Sequence, residues 1–116
     1  MSKKIAFMGT PTISGQILKS LYQNGFDIEV VYTQPPVASN RGHRLNKSPV
    51  HVMAEILNIP VRTPILLDIT QEKNFLEKQN ISLGIVVAYG QILKKDILEI
   101  PKKGWINIHY SLLPKF

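Results

Sequence analysis

Residues 5–36, IAFMGTPTISGQILKSLYQNGFDIEVVYTQPP, decide the fold. Ile5 to Met8 form an unbroken apolar run that stops at Gly9, the pattern of a parallel strand buried on both faces. Thr10 is a residue type that caps helices, and Pro11 sits where a first helical position tolerates a missing N–H. Ile13, Ile17, Leu18, Leu21 and Tyr22 follow at helical spacing, and Asn24-Gly25 ends the helix. Ile28, Val30, Val31 and Tyr32 make a second run rich in β-branched residues, which Pro35-Pro36 cannot continue. Strand, helix and strand in so short a span read as a βαβ unit.

The same alternation extends down the chain. Ser48-Pro49 repeats the helix-start signature, and Val50, Met53, Ala54 and Leu57 give that helix an apolar stripe. Ile59-Pro60-Val61 is a short third strand, and Gln71 to Gln79 is a helix with Phe75 and Leu76 inward. Leu83, Ile85, Val86, Val87 and Ala88 make the strongest buried-strand signal, closed by Tyr89-Gly90. A short helix around Lys95 to Leu98 precedes a last strand, Trp105 to Ile108, which leads into His109. The expected fold is α/β, a doubly wound, mostly parallel sheet of about five strands with right-handed crossovers. Ligands then belong outside the carboxyl ends of the strands, at Gly9, Thr33-Gln34, Tyr89-Gly90 and Asn107 to His109.

A length of 116 residues fits one domain and excludes a multidomain enzyme within this polypeptide. Hydrophobic residues at 44% and charged residues at 19% permit a buried core. The absence of Cys removes disulfides, thiolate nucleophiles and thiolate metal sites. The apolar stretch near the amino terminus is too short for a signal peptide, and no stretch reaches the roughly 20 apolar residues of a membrane helix, so a cytoplasmic location is expected. Fourteen Lys and Arg against eight Asp and Glu give a net charge of +6, which suits a polyanionic partner.

The polar loop from Pro35 to Ser48 is longer than usual for an α/β connection and holds Arg41, Arg44 and Lys47, with His43 and His51 nearby. No acid lies between Glu29 and Glu55, so the loop reads either as an anion-binding element or as a solvated surface. Gly9-Thr10-Pro11 lacks the three glycines of a dinucleotide fingerprint, and no Walker sequence is present. Asn107 and His109 are two apart in an extended segment, so both side chains project to one side while Ile106 and Ile108 point to the other. An amide donor and an imidazole facing one pocket could polarise a carbonyl, stabilise an oxyanion and pass a proton near neutral pH, as acyl transfer requires. From spacing alone, an Asn-x-His at a strand end is more often a structural turn than a site. His43, His51 and His109 lack ligand spacing, so no metal site is expected, and Ser111 beside His109 lacks a nucleophile elbow.

Five segments in order, FMGTP at 7–11, TQPP at 33–36, RGHRLNKSPVH at 41–51, VVAYGQIL at 86–93 and NIHYSLLPKF at 107–116, resemble the methionyl-tRNA formyltransferase family. The resemblance implies a Rossmann-like domain that binds 10-formyltetrahydrofolate. It implies formyl transfer to the α-amine of methionine on initiator tRNA, a step of translation initiation. By that resemblance Asn107 holds the formyl oxygen, and His109 stabilises the tetrahedral species and helps proton movement. Ser111, Leu112, Leu113 and Pro114 match a folate-binding segment, and Tyr89, Gly90, Gln91, Ile92 and Leu93 wall the pterin pocket, largely through backbone groups. Arg41, Gly42, Arg44 and Lys47 match an insertion that enters the acceptor end of the tRNA, where guanidinium groups suit phosphates and stacked bases.

The resemblance further implies that residues 1–116 are an incomplete N-terminal, folate-binding domain, without the family's C-terminal tRNA-binding barrel domain or the Asp that partners the catalytic imidazole. The isolated chain is accordingly expected to be inactive, and the full-length protein monomeric, metal-free and unassociated with membranes. Tyr110 departs from the family pattern by standing where a small residue is usual. Two other readings remain: a formyltransferase for another amine such as a nucleotide sugar, and a non-catalytic folate- or RNA-binding remnant.

Overall fold

The structure, a computed structural model, describes residues 3–38 and 44–109. Its organising element is β1 (Lys4–Gly9), whose apolar run is buried throughout and hydrogen-bonded on both edges. On one edge lies β2 (Asp27–Tyr32), reached through α1 (Thr12–Gln23), with Phe7 opposite Val31 and Met8 opposite Tyr32. After β2 the chain forms a small antiparallel hairpin, β3 (Val37–Ala38) with β4 (Leu45–Asn46), before α2 (Pro49–Ile56), β5 (Val61–Arg62) and α3 (Thr70–Lys78). β6 (Leu83–Val87) then pairs with the other edge of β1, and α4 (Lys95–Leu98) leads to β7 (Trp105–Asn107). The main sheet has the order β5-β2-β1-β6-β7, and every neighbouring pair in it is parallel.

Strand alternation divides the core in two. Ile5 and Phe7 face one way and pack with Leu18 of α1, Val50 and Ala54 of α2, and Val87 of β6. Ala6 and Met8 face the other way and pack with Leu76 of α3, Ile97 of α4 and Tyr32 of β2. Both faces of β1 are therefore dry, which is why its sequence is a continuous apolar run and not an alternating one.

The expected five strands all form, with ends that differ by a residue or two. The third is Val61–Arg62, with Ile59 and Pro60 leading in, and the last is Trp105–Asn107, although the Ile108 N–H still donates to Val86 O at 2.8 Å. Ala88, read as the end of the fourth strand, instead turns out of it with φ +52°. Ser48 caps α2 as its sequence suggests, its Oγ accepting from the His51 N–H at 3.0 Å. Thr10 does not cap α1. Pro11 takes the cap position with no side-chain hydrogen bond, while Thr10 Oγ1 donates across the sheet to Tyr89 O at 2.6 Å.

A charged cluster that the helical pattern conceals ties α3 to the sheet. Glu72, only 5% exposed, accepts from Tyr32 OH of β2 at 2.8 Å and from Arg62 of β5 at 2.7 and 3.1 Å. The Arg62 guanidinium also lies 3.8 Å over the Phe75 ring. Burial alone would raise the Glu72 pKa, but the hydrogen bonds from Arg62 and Tyr32, with the Arg62 charge, outweigh it and hold the carboxyl below its ordinary range. A carboxylate depressed in the folded state stabilises the fold above its unfolded pKa, and that contribution disappears as pH falls through the folded value.

Glu72→Gln is thus expected to cost about 1.5–3 kcal/mol at pH 7 by denaturant unfolding, with the gap to the unsubstituted protein closing below about pH 4. At the β6–β7 boundary, Trp105 lies flat against Gly84: a Cβ there would come within 2.1 Å of the indole. Gly84→Ala should destabilise the protein by about 1–3 kcal/mol through overpacking and move the emission of Trp105, the one tryptophan in the chain. An unchanged midpoint and spectrum would show that β7 can shift to accommodate the methyl group.

Candidate active site

The sheet delivers its strand ends to one edge, and a cavity of about 490 Å³ opens there. Pro11 and Ile13, at the start of α1, border one side, and Ala88, Tyr89 and Gln91 after β6 border the second. Asn107 and His109 border the third. A second cavity of about 360 Å³ adjoins the first, sharing Val86, Gln91 and Asn107 with it, and is otherwise walled by Ile92, Leu93, Leu98 and Trp105. Asn107 therefore stands between the two cavities.

Parallel pairing of β7 with β6, which sets Asn107 beside Val86, positions the Asn-x-His segment. The separation expected by strand alternation is incomplete. Ile108 packs partly against the core beneath α1 and α2, yet it borders the larger cavity together with Asn107 and His109. The cavity lies across the end of the strand, so residues from both faces reach it. Asn107 and His109 are both exposed.

The turn after β6 is the most constrained part of the site. Ala88 lies in the left-handed region at φ +52°, a conformation costing a Cβ-bearing residue roughly 1–2 kcal/mol. Gly90 follows at φ +106°, where a Cβ would also stand 2.7 Å from Gln34 Nε2. Three side chains hold this turn. Thr10 Oγ1 donates to Tyr89 O, Gln34 Nε2 donates to Gly90 O at 3.2 Å, and Ser14 Oγ donates to Val87 O. Gln91 Nε2 in turn donates to Gln34 Oε1 at 3.0 Å. Tyr89 is buried, and burial, reinforced by the Glu72 charge, pushes its hydroxyl pKa upward, so it stays protonated and serves the site as wall and not as base.

The remaining sequence-derived residues divide. Tyr89, Gly90, Gln91, Ile92 and Leu93 lie at this edge, with Gln91, Ile92 and Leu93 lining the apolar cavity. Ser111, Leu112, Leu113 and Pro114, and in the basic loop Arg41, Gly42 and His43, lie outside the described residues. Arg44 is exposed beside β4. Lys47 is not a free cation, because its Nζ lies 2.8 Å from Glu55 Oε2. The Lys47 hydrogen bond holds the Glu55 carboxyl below its ordinary pKa, against a smaller opposing effect of burial. A stretch free of acids in sequence is thus met by an acid from α2 in space, and His51 Nε2 also approaches that carboxylate at 3.6 Å. The sequence reading missed Thr10 and Gln34 as site-builders, and Trp105 and Leu98 as cavity walls. Their signal was position: Thr10 and Gln34 stand at carboxyl ends of strands, within the FMGTP and TQPP segments.

Comparison with known proteins shows the family. A family profile described as formyl transferase matches residues 3–116. The methionyl-tRNA formyltransferase of Pelagibacter ubique is 53% identical over 117 residues, covering 100% of this chain and 38% of the relative. That of Caulobacter vibrioides is 45% identical over 113 residues, covering 97% of the chain and 37% of the relative. The chain thus spans well under half the length of these relatives. Two solved structures share the fold at low identity: glycinamide ribonucleotide transformylase 1 of Geobacillus kaustophilus (TM-score 0.68, 17% identical, 100% of this chain and 62% of that one) and phosphoribosylglycinamide formyltransferase of Streptococcus pneumoniae (TM-score 0.66, 20% identical, 100% and 61%). With a parallel α/β sheet, an Asn-x-His at the strand end it forms, and a profile match running from Lys3 to Phe116, this chain belongs to the formyl transferase family.

Proposed function

We propose that the chain is the folate-binding and catalytic portion of a methionyl-tRNA formyltransferase, passing a formyl group from 10-formyltetrahydrofolate to the α-amine of methionyl-initiator tRNA. The observation that carries this reading is the position of Asn107, bordering both the apolar 360 Å³ cavity and the 490 Å³ cavity that His109 also borders. The pterin suits the apolar cavity, where Ile92, Leu93, Leu98 and Trp105 offer flat and aliphatic surface. The acceptor amine enters from the larger cavity, so the formyl carbon sits at the junction.

The chemistry follows from that placement. The neutral amine adds to the formyl carbon, and the carbonyl oxygen becomes an oxyanion that accepts a hydrogen bond from the Asn107 amide. The new C–N bond leaves a proton on the attacking nitrogen, which the His109 imidazole relays to N10 of the folate as the C–N10 bond breaks. Tetrahydrofolate and formyl-methionyl-tRNA leave. No metal is required, because the charge that develops is one oxyanion within reach of hydrogen-bond donors. Ser111 to Pro114, which follow His109 in the chain, complete the folate contacts, as their resemblance to the family segment indicates.

Arg41, Gly42 and Arg44 approach the acceptor end of the tRNA, carried by the loop that β3 and β4 close at its base. Lys47 contributes less than the sequence suggests, since binding phosphate would require giving up Glu55. In the complete enzyme the protein acts as a monomer in the cytoplasm. The relatives are named for this reaction, and the 53% identity to one of them across the whole chain supports the assignment over transfer to a nucleotide sugar.

Two measurements test the reading. Titrating the 116-residue chain with 5-formyltetrahydrofolate should quench Trp105 fluorescence, because Trp105 walls the proposed pterin cavity; a flat titration would count against that cavity. Residues 3–116 can also replace the matching stretch of the Pelagibacter ubique relative and the product be assayed for methionyl-tRNA formylation. In that chimaera Asn107→Ala should lower kcat by roughly 10²–10³-fold, the effect of removing one oxyanion donor. His109→Ala should lower kcat comparably while leaving tRNA binding intact, and Arg41→Ala should raise the KM for tRNA more than it lowers kcat. Near-normal turnover of His109→Ala would remove the imidazole from the mechanism.

A further inference from the structure

Gln91 borders both cavities, and both donors of its side-chain amide are spent inside the protein. Its two amide hydrogens go to Pro64 O and Gln34 Oε1, each at 3.0 Å. Its Oε1 accepts from the Leu67 N–H at 2.7 Å, and Tyr89 OH lies 3.4 Å from its nitrogen. A primary amide has two donors, and both are engaged, so this nitrogen has none left for a ligand. What the amide does is join three segments that are far apart in sequence: the end of β2, the loop between β5 and α3, and the turn after β6.

The join falls where the backbone needs it. The turn begins with Ala88 in the left-handed region and continues through Gly90 at φ +106°, so it does not hold its shape by local preference. Thr10 and Gln34 fix the carbonyls of Tyr89 and Gly90, and Gln91 closes the series by tying the next residue to residues 64 and 67. Immediately after it come Ile92 and Leu93, which wall the apolar cavity. On the other side of the clasp, Leu67 is buried in the core and supplies a fixed anchor.

We infer that Gln91 is a positioning residue: its side-chain amide clamps the loop at 64–67 and the end of β2 to the turn after β6, and so sets the wall that Ile92 and Leu93 present to the formyl donor. The inference rests on the reading of that cavity as the folate pocket. Only glutamine meets the requirement here. Glutamate keeps the acceptor for Leu67 but sets a carboxylate against Pro64 O and Gln34 Oε1, and a shorter amide does not span the gap.

The test uses the 116-residue chain with Gln91→Ala and Gln91→Glu, reading amide exchange at Leu67, Trp105 emission and affinity for 5-formyltetrahydrofolate. In Gln91→Ala, exchange at Leu67 should quicken, the Trp105 emission should shift to longer wavelength as the wall opens, and folate affinity should fall roughly tenfold, the equivalent of one hydrogen bond's worth of ordering. Gln91→Glu should bind as poorly as Gln91→Ala at pH 7.5. Relative to the unsubstituted chain at the same pH, it should recover as the carboxyl takes up a proton and regains one donor, a recovery that a purely structural side chain does not give. Unaltered Leu67 exchange in Gln91→Ala would overturn the clamp. Faster exchange with unchanged Trp105 emission and unchanged folate affinity would overturn the positioning role. If the unsubstituted chain binds no folate while Gln91→Ala still frees Leu67 and shifts Trp105, the clamp stands and the folate reading fails.

Discussion

Everything in this molecule depends on β1 having no free edge and no free face. Its backbone is hydrogen-bonded to β2 on one side and β6 on the other, and its side chains split between two dry clusters covered by different helices. At its carboxyl end a Cβ on Gly9 would stand 2.7 Å from Val87 O, so even one methyl group would push the central strands apart. A strand so enclosed can serve only as a fixed reference. The strand ends around it are placed relative to it, and the turn after β6 inherits its position through Thr10.

The functional edge is built by polar side chains reaching sideways between strand ends and not by the strands alone. Thr10, Ser14, Gln34 and Gln91 each cross from one segment to another, and together they hold a backbone conformation at Ala88 that the sequence would not adopt unaided. The result is a junction between two largely apolar cavities with an amide at the boundary. Such an arrangement suits group transfer between two partners, because each has a space of its own while the reacting atoms meet in between.

How much of this was readable beforehand varies from residue to residue for physical reasons. The buried runs at 5–8 and 83–87 announce themselves because a parallel strand covered on both faces can contain little else. Asn107 and His109 were legible as neighbours because they stand two apart at a strand end, although β7 stops at Asn107 and Ile108 reaches the same cavity. Glu72 was hidden: it lies at helical spacing from Phe75 and Leu76 and shares their inward face, but its charge argues for solvent until Arg62 and Tyr32 are known to be opposite. Lys47 misled in the other direction, since its neutralising partner, Glu55, comes from the next helix. Thr10 looked like a cap because local sequence cannot reveal an acceptor 79 residues away. Long-range hydrogen bonds of this kind leave no trace in periodicity.

The parallel pairing of β1 also shapes how the chain must be made. Its first partner, β2, follows almost at once, but its second, β6, is separated from β2 by roughly fifty residues. During synthesis one edge of the most apolar strand therefore waits, on the order of three to ten seconds at ordinary elongation rates, before its mate leaves the ribosome. Over that interval α1 and then α2 can cover one face, while the open edge has no protection within the nascent chain. The architecture that gives the finished protein a rigid centre thus exposes the newborn one to chaperones, whose occupancy should peak after β2 has emerged and decline as residues 83–87 arrive.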